Sequence, residues 1–209
     1  MYIPNLYKNE NQEEIENFIH QNGFGILVNQ TDGKLWATHI PLVLETNELG
    51  KQILVGHVSK LNPQAASFQN NNDVLAIFSG VHSYISSSWY DHENVPTWNY
   101  LAVHVYGKVT VLNHEEAVNS LKKLVDKYEA KSEKPVRVED LSEKTMREAR
   151  GIIAFTIEII SIEAVKKLSQ NRDDKNYKNI VEELEKTNDN QSITVADEMK
   201  KKQDIIRFD

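Results

Sequence analysis

The sequence predicts a small antiparallel β-barrel decorated with helices, and three observations predict it. Between Gly23 and about Thr110 the chain is a succession of short β-like runs with few helix signals. Explicit turn chemistry separates these runs, Thr31-Asp32-Gly33 and Asn47 to Gly50 both reading as hairpin connections. A helix, a return strand and further helices follow. That order excludes a doubly wound parallel sheet, because strands and helices do not alternate.

Each element has its own local reason. Asn11 to Gln21 is the first helix: Asn11 can cap, Glu14 sits three residues on, and Ile15, Phe18 and Ile19 form an apolar stripe. The β-like runs are 24–29, 35–44, 52–58, 74–80, 82–90 and 98–112. Asn62-Pro63 opens a short helical stretch through Phe68, since proline is tolerated in a first helical turn. Asn113 to Ala130 is the clearest helix, with Asn113 and Glu116 forming a capping box and Ala117, Leu121, Leu124, Val125 and Tyr128 on one face. Asp140 to Arg150 reads as a short helix. The run 151–163 is a strong strand in which Ile153, Phe155, Ile157 and Ile159 alternate. Asp173 to Lys186 is a helix that packs through Tyr177, Ile180, Val181 and Leu184; Thr187 to Gln191 is turn-like, and a last short helix follows it.

The chain has 209 residues, 40% of them apolar, which fits one domain with a long tail. It has no cysteine, so disulfides, thiolate metal sites and cysteine nucleophiles are excluded. No basic start followed by an apolar run is present, and no apolar stretch reaches about 18 residues, so a cytoplasmic protein without membrane contact is expected. The net charge of -7 argues against autonomous DNA binding, and the densest basic run, Lys200 to Lys202, reads as a solvated helix face.

A functional signal lies in the strand faces. A half-buried strand carries one apolar and one soluble face. The strand from Trp98 has Leu101, Val103 and Val105 on one face but Trp98, Tyr100, His104 and Tyr106 on the other. The strand from His82 similarly carries His82, Tyr84, Ser86, Ser88 and Tyr90 on one side and Ile85 and Trp89 on the other. Aromatic, histidine-rich outer faces need a cover, either helices of the same chain, a second subunit or a flat cofactor.

At these residues the sequence resembles the PaiB family, within the FMN-binding split barrels related to pyridoxamine-phosphate oxidase. The resemblance is carried by the segments 1–7, 23–28, 38–44, 56–64 (GHVSKLNPQ), 78–90 (FSGVHSYISSSWY), 95–107 (VPTWNYLAVHVYG) and 167–172 (KLSQNR). It covers residues 1–186 as a split-barrel domain with its flanking helices; 187–209 is a partly helical tail mostly outside it. The chain departs where the family usually has prolines, at Val81 and Ser87, and a small apolar residue, at Ser83, changes expected to loosen a loop. The resemblance implies an antiparallel Greek-key split barrel, a homodimer with two sites at its interface, and FMN. It also implies two functional labels, negative transcriptional regulator and flavin-dependent oxidoreductase.

FMN needs a phosphate site, a polar grip on its ribityl chain and a slot for its ring. Ser59-Lys60, ahead of Asn62, resembles the hydroxyl-plus-cation element that grips phosphate in the oxidase relatives. His39 and His57, in neighbouring strands, are candidate donors to phosphate or ribityl hydroxyls. His82, Tyr84, Ser86 and Trp89, with Trp98 and Asn99, offer ring faces and polar edges for the flavin. Gln170 and Arg172 in KLSQNR are candidates to reach a cofactor, and Lys167 reads as structural. No phosphate loop, GxSxG elbow or HExxH is present, and the seven histidines show no metal-ligand spacing, so no metal is expected and no catalytic side chain is assigned. Two alternatives stand beside the flavin reading: haem held by His82 or His104, and a regulator acting through a protein partner without cofactor.

Overall fold

The computed structural model describes residues 1–69 and 72–206, the last five as backbone. Six antiparallel strands close a barrel in the order β1-β2-β3-β6-β5-β4: β1 (Phe24–Thr31), β2 (Lys34–Thr46), β3 (Gln52–Ser59), β4 (Asp73–Ile85), β5 (Thr97–Val111) and β6 (Ile152–Lys167). The helices are α1 (Gln12–Gln21), α2 (Pro63–Ser67), α3 (His114–Glu129), α4 (Glu143–Met146), α5 (Asp174–Lys186) and α6 (Asn190–Ile206). The antiparallel barrel class predicted from the turn chemistry is the observed one. At the β1–β2 hairpin the turn falls on Asp32 and Gly33, with φ of 50° and 75°. That left-handed pair is the geometry a two-residue hairpin connection requires.

The chain forms two compact units. A barrel unit holds Ile19–Phe78 and His104–Ile162; a helical unit holds Met1–Phe18, Ser79–Val103 and the chain from Glu163 on. The last three strands contribute residues to both. In the barrel unit, alternate residues of β1 to β3 point inward, so Leu27, Ile40, Leu42, Leu44, Leu54 and Val58 are buried with Phe68, Phe78, Phe155 and Ile157. Phe68 and Phe155 meet edge-to-face at 5.2 Å. Each such side chain contributes about 1.5–3 kcal/mol through its removal from water. The predicted Asn113–Glu116 capping box closes the start of α3.

In the helical unit, α5 turns Tyr177, Ile180, Val181 and Leu184 onto Val195, Ala196 and Met199 of α6, with Ile85 and Leu168 beneath. The Tyr177 hydroxyl donates to Met199 O at 2.8 Å, and its burial pushes the phenol up to about 12. Asp91 accepts from Lys175 Nζ at 2.8 Å and from Asn176 Nδ2 at 2.9 Å, tying the loop after β4 to α5.

Five expectations change. The runs 74–80 and 82–90 are one strand as far as Ile85, because Gly80 marks a close approach and no turn: a Cβ there would stand 2.6 Å from the Phe18 ring. Beyond Ile85 the chain leaves the sheet in a 3-10 turn at Ser87–Trp89, so Ser88 and Tyr90 do not share the face of His82 and Tyr84; Tyr90 is buried in the helical core. Val81 and Ser83 lie within β4 and loosen no loop, and the buried Ser83 hydroxyl shares a hydrogen bond of 2.8 Å with Ser192. The 140–150 segment is broken between two 3-10 turns and the four residues of α4, while the final helix is long, at 17 residues. Lys200 and Lys201 are ion-paired to Glu185 and Glu198; the Lys202 side chain lies outside the description.

Candidate functional site

The structure divides the candidate residues between the two units. In the barrel unit β2 and β3 pair antiparallel through Leu42↔Gly56. Burial alternates along β2 from His39 to Glu45, and in β3 His57 and Ser59 flank the buried Val58, so His39, His57 and Ser59 stand on the outward face. His39 is exposed and stacks on Phe24 with ring centroids 6.2 Å apart. Ser59 and Lys60 are exposed at the end of β3. The Ser59 hydroxyl accepts from Leu61 N–H at 3.2 Å, and Lys60 N–H donates to Gly151 O at 2.8 Å, which anchors the segment while its side chains stay open. Among the described residues Lys60 has no ion pair. A hydroxyl and an unmatched ammonium on consecutive exposed residues are donor types that suit a dianionic phosphate.

Asn62 is already engaged. Its Oδ1 accepts from Gln64 N–H at 3.0 Å, capping α2, and its Nδ2 donates to Thr38 Oγ1 at 2.8 Å. The Thr38 hydroxyl in turn donates to Gln64 Oε1. Gln64, wholly buried, donates through Nε2 to Leu27 O at 3.2 Å and Asn29 Oδ1 at 2.9 Å. This amide joins β1, β2 and α2, and so fixes the segment that carries Ser59 and Lys60. The candidate set omits it, because its partners are distant in sequence and the NPQ triplet alone has no chemistry to announce.

His57 is half-buried, and desolvation holds its imidazole below the ordinary histidine range. The folded protein therefore binds this proton less readily than the unfolded chain, so stability is lost as pH falls below about 6.5. A falling Tm is expected between about pH 6.5 and 5, and His57→Gln should flatten part of that fall. Superimposable Tm-against-pH curves for the two proteins would overturn this.

The helical unit gathers a second set. Trp98 and Tyr84 are 53% and 46% exposed, with ring centroids 5.8 Å apart edge-to-face, and His82 lies 6.0 Å from Trp98. The outer-face parity of Trp98 is as read from sequence, though Tyr100, in this unit, is half-buried within the single chain, as are His104 and Tyr106 of the barrel unit. Other candidates are engaged within the unit. Asn99 is fully buried and accepts from Ser169 Oγ at 3.1 Å. Ser86 Oγ accepts from Ser88 N–H at 3.2 Å, capping the 3-10 turn. Trp89 packs on the helical core and its carbonyl accepts from Asn179 Nδ2 at 2.5 Å. Gln170 folds back on its own turn, accepting from Leu168 N–H at 2.6 Å and donating to Lys166 O. Arg172 lies over the Tyr90 ring at 4.9 Å. Among the described residues no His/Cys/Asp/Glu group suits a metal ion, and no helix is long and apolar enough to cross a membrane.

Residues 1–161 match the family model described as "Putative FMN-binding domain". The barrel resembles two solved proteins at low sequence identity: a flavocytochrome from Azotobacter vinelandii (TM-score 0.63, 13% identity, 85% of this chain and 78% of that one) and a FAD and heme binding protein from Mycobacterium smegmatis (TM-score 0.60, 15% identity, 77% and 73%). Fold and family model together define a flavin-binding split-barrel protein whose cofactor is FMN. The chain is 45% identical over 186 residues to the protease synthase and sporulation protein PAI 2 of Bacillus subtilis, covering 88% of this chain and 89% of that protein. It belongs to the PaiB family.

Proposed function

We propose that the protein is an FMN-dependent oxidoreductase working as a homodimer, with the flavin phosphate held in the barrel unit by Lys60 and Ser59. The observation that carries this reading is the exposed Lys60, next in the chain to the exposed Ser59 and without an acidic partner among the described residues. Phosphate carries between one and two negative charges near neutral pH, and a cation plus a hydroxyl is the donor set it selects. His39, backed by Phe24, offers a ring surface on the same outward face. His57, neutral above about pH 6.5, offers a ring N–H to a ribityl hydroxyl. Bound FMN supplies the electron transfer, and these side chains orient it and shape its electrostatics.

The exposed Tyr84–Trp98 pair, flanked by His82, is the surface a second copy covers. Aromatic rings of this size bury about 150–250 Å² each, so leaving two in water forgoes a large apolar gain. Any effect on transcription runs through a protein partner or through the redox reaction. The net charge of -7 opposes phosphate contact, and Lys200 and Lys201 are already matched by carboxylates.

The test is the absorption spectrum and mass of freshly purified protein. Flavin bands and a mass twice the 24.0 kDa of the chain are expected. A colourless protein that does not saturably quench FMN fluorescence would sink the cofactor reading, and a Soret band would replace FMN by haem. A mass of one chain would remove the dimer. A salt-sensitive, sequence-specific shift of promoter DNA by the protein alone would overturn the indirect regulatory role.

A further inference from the structure

The helical unit contains a small cavity of about 120 Å³ lined by Tyr7, Thr97, Asn99, Lys167, Ser169 and Arg172, with Val95, Pro96 and Asn171 at its edge. That volume has room for a few water molecules. It is far below the ~300 Å³ at which ligand pockets begin, so an isoalloxazine ring does not fit, whereas a carboxylate or phosphate group does.

Its lining is unusual in charge. Lys167 and Arg172 both border the cavity, and among the described residues neither has a carboxylate partner. Lys167 Nζ donates to Thr97 Oγ1 at 2.5 Å and lies 6.0 Å from the Tyr7 ring centroid; Arg172 lies over Tyr90. Burial, and then the Arg172 charge, push the Lys167 ammonium below the usual lysine range. Two like charges brought together without a counterion repel each other, and an anion between them removes the repulsion.

The backbone is shaped to keep them there. Ser169 has φ of 59°, a left-handed conformation uncommon for a residue with a Cβ. Its hydroxyl is pinned to the buried Asn99, and its carbonyl accepts from Arg172 N–H at 3.0 Å. This strained turn carries the chain from Lys167 round to Arg172, so that residues five apart in sequence border one cavity. Gln170, folded onto Leu168 and Lys166, locks the turn from behind.

We propose that this cavity is a binding site for a small oxyanion, the carboxylate or phosphate group of a small molecule, distinct from the Ser59–Lys60 grip on FMN. Thr97 supplies a hydroxyl and Lys167 and Arg172 the charge; Tyr7 walls the cation from one side. The geometry stands independently of where FMN binds, and the experiment keeps the two apart. FMN-saturated protein is titrated with inorganic phosphate, and separately with acetate, against sodium chloride of equal ionic strength, while Tm is followed. A saturable rise in Tm is expected with at least one oxyanion. Lys167→Met and Arg172→Gln should each weaken it about tenfold or more, whereas Lys60→Met leaves it intact. Asn171→Asp, an exposed change that places a carboxylate at the cavity edge, should raise Tm without added anion and abolish the response. This variant keeps the test open if Lys167→Met does not fold.

No saturable rise in the wild type, or an undiminished rise in both charge-removing variants, would overturn the site. A response seen without FMN and abolished by FMN, with FMN affinity lost in Arg172→Gln but retained in Lys60→Met, would make the cavity the flavin's own phosphate site. That result would overturn both its separateness and the role given to Lys60.

Discussion

If Lys60 grips the flavin phosphate as proposed, replacing it by Met is expected to weaken FMN binding roughly ten- to hundredfold. The magnitude follows from a charge-assisted hydrogen bond, worth about 1.5–3 kcal/mol when its donor is removed. Because Lys60 has no ion pair among the described residues, its loss strands no buried carboxylate, and stability should change little. Riboflavin, which lacks the phosphate, provides the control. Fluorescence titration of the apoprotein should show Lys60→Met losing affinity for FMN while keeping its affinity for riboflavin. Ser59→Ala should lose less, because its hydroxyl is neutral and already accepts from Leu61 N–H. Equal FMN affinity in wild type and Lys60→Met would move the phosphate elsewhere.

The second large effect is on stability. Gln64→Ala should cost about 3 kcal/mol and lower Tm by roughly 6–12 °C. The truncation takes a donor from Leu27 O and Asn29 Oδ1 and an acceptor from the Thr38 hydroxyl, in a place water does not reach. Gln64→Glu should be comparably damaging, since it turns an oxygen toward two acceptors that had received N–H groups. Denaturant unfolding and a Tm measurement check this; a shift of less than about 2 °C for both variants would show that the network carries little weight.

Much of the barrel was legible because its signals are local. Asp32-Gly33 announces a hairpin from two residues, and Asn113 with Glu116 announces the start of α3 from four, without knowledge of any distant partner. Errors came where a residue answers to something far away. Gly80 looks like punctuation in sequence, yet it makes room for Phe18, sixty-two positions earlier. The sequence shows α6 only as a short helix because a thin stripe of it, including Val195, Ala196 and Met199, is buried and most of its other positions are polar.

The candidate residues behave the same way. Ser59 and Lys60 enter as a proposed phosphate grip through the family resemblance, and because they are adjacent in the chain no distant contact is needed to bring them to the same strand end. Asn99 and Gln170 carry polar groups suited to a ligand, but the fold spends those groups inside the protein, on Ser169 and on the Leu168–Gln170 turn. Gln64 is the converse, a residue silent in sequence that four non-adjacent residues depend on. The cavity beside Lys167 was visible only as a basic motif, since Tyr7 and Thr97 reach it from other parts of the chain.

The pairing of the N-terminal segment with the far end of β6 has a consequence for biosynthesis. Asn9 N–H donates to Ala164 O at 2.9 Å, Lys8 bridges Val165, and Glu14 accepts from Lys166 Nζ at 3.1 Å. On a ribosome adding about 5–20 residues per second, Met1–Phe18 emerge and wait on the order of ten seconds for those partners to be made. The stretch ending at Ile162 carries all of the barrel unit, so that half of the molecule has every contact of its own available before the helical half can close. During that interval the nascent chain presents an orphaned segment bearing Tyr2, Ile3 and Leu6, a natural point for a chaperone to engage.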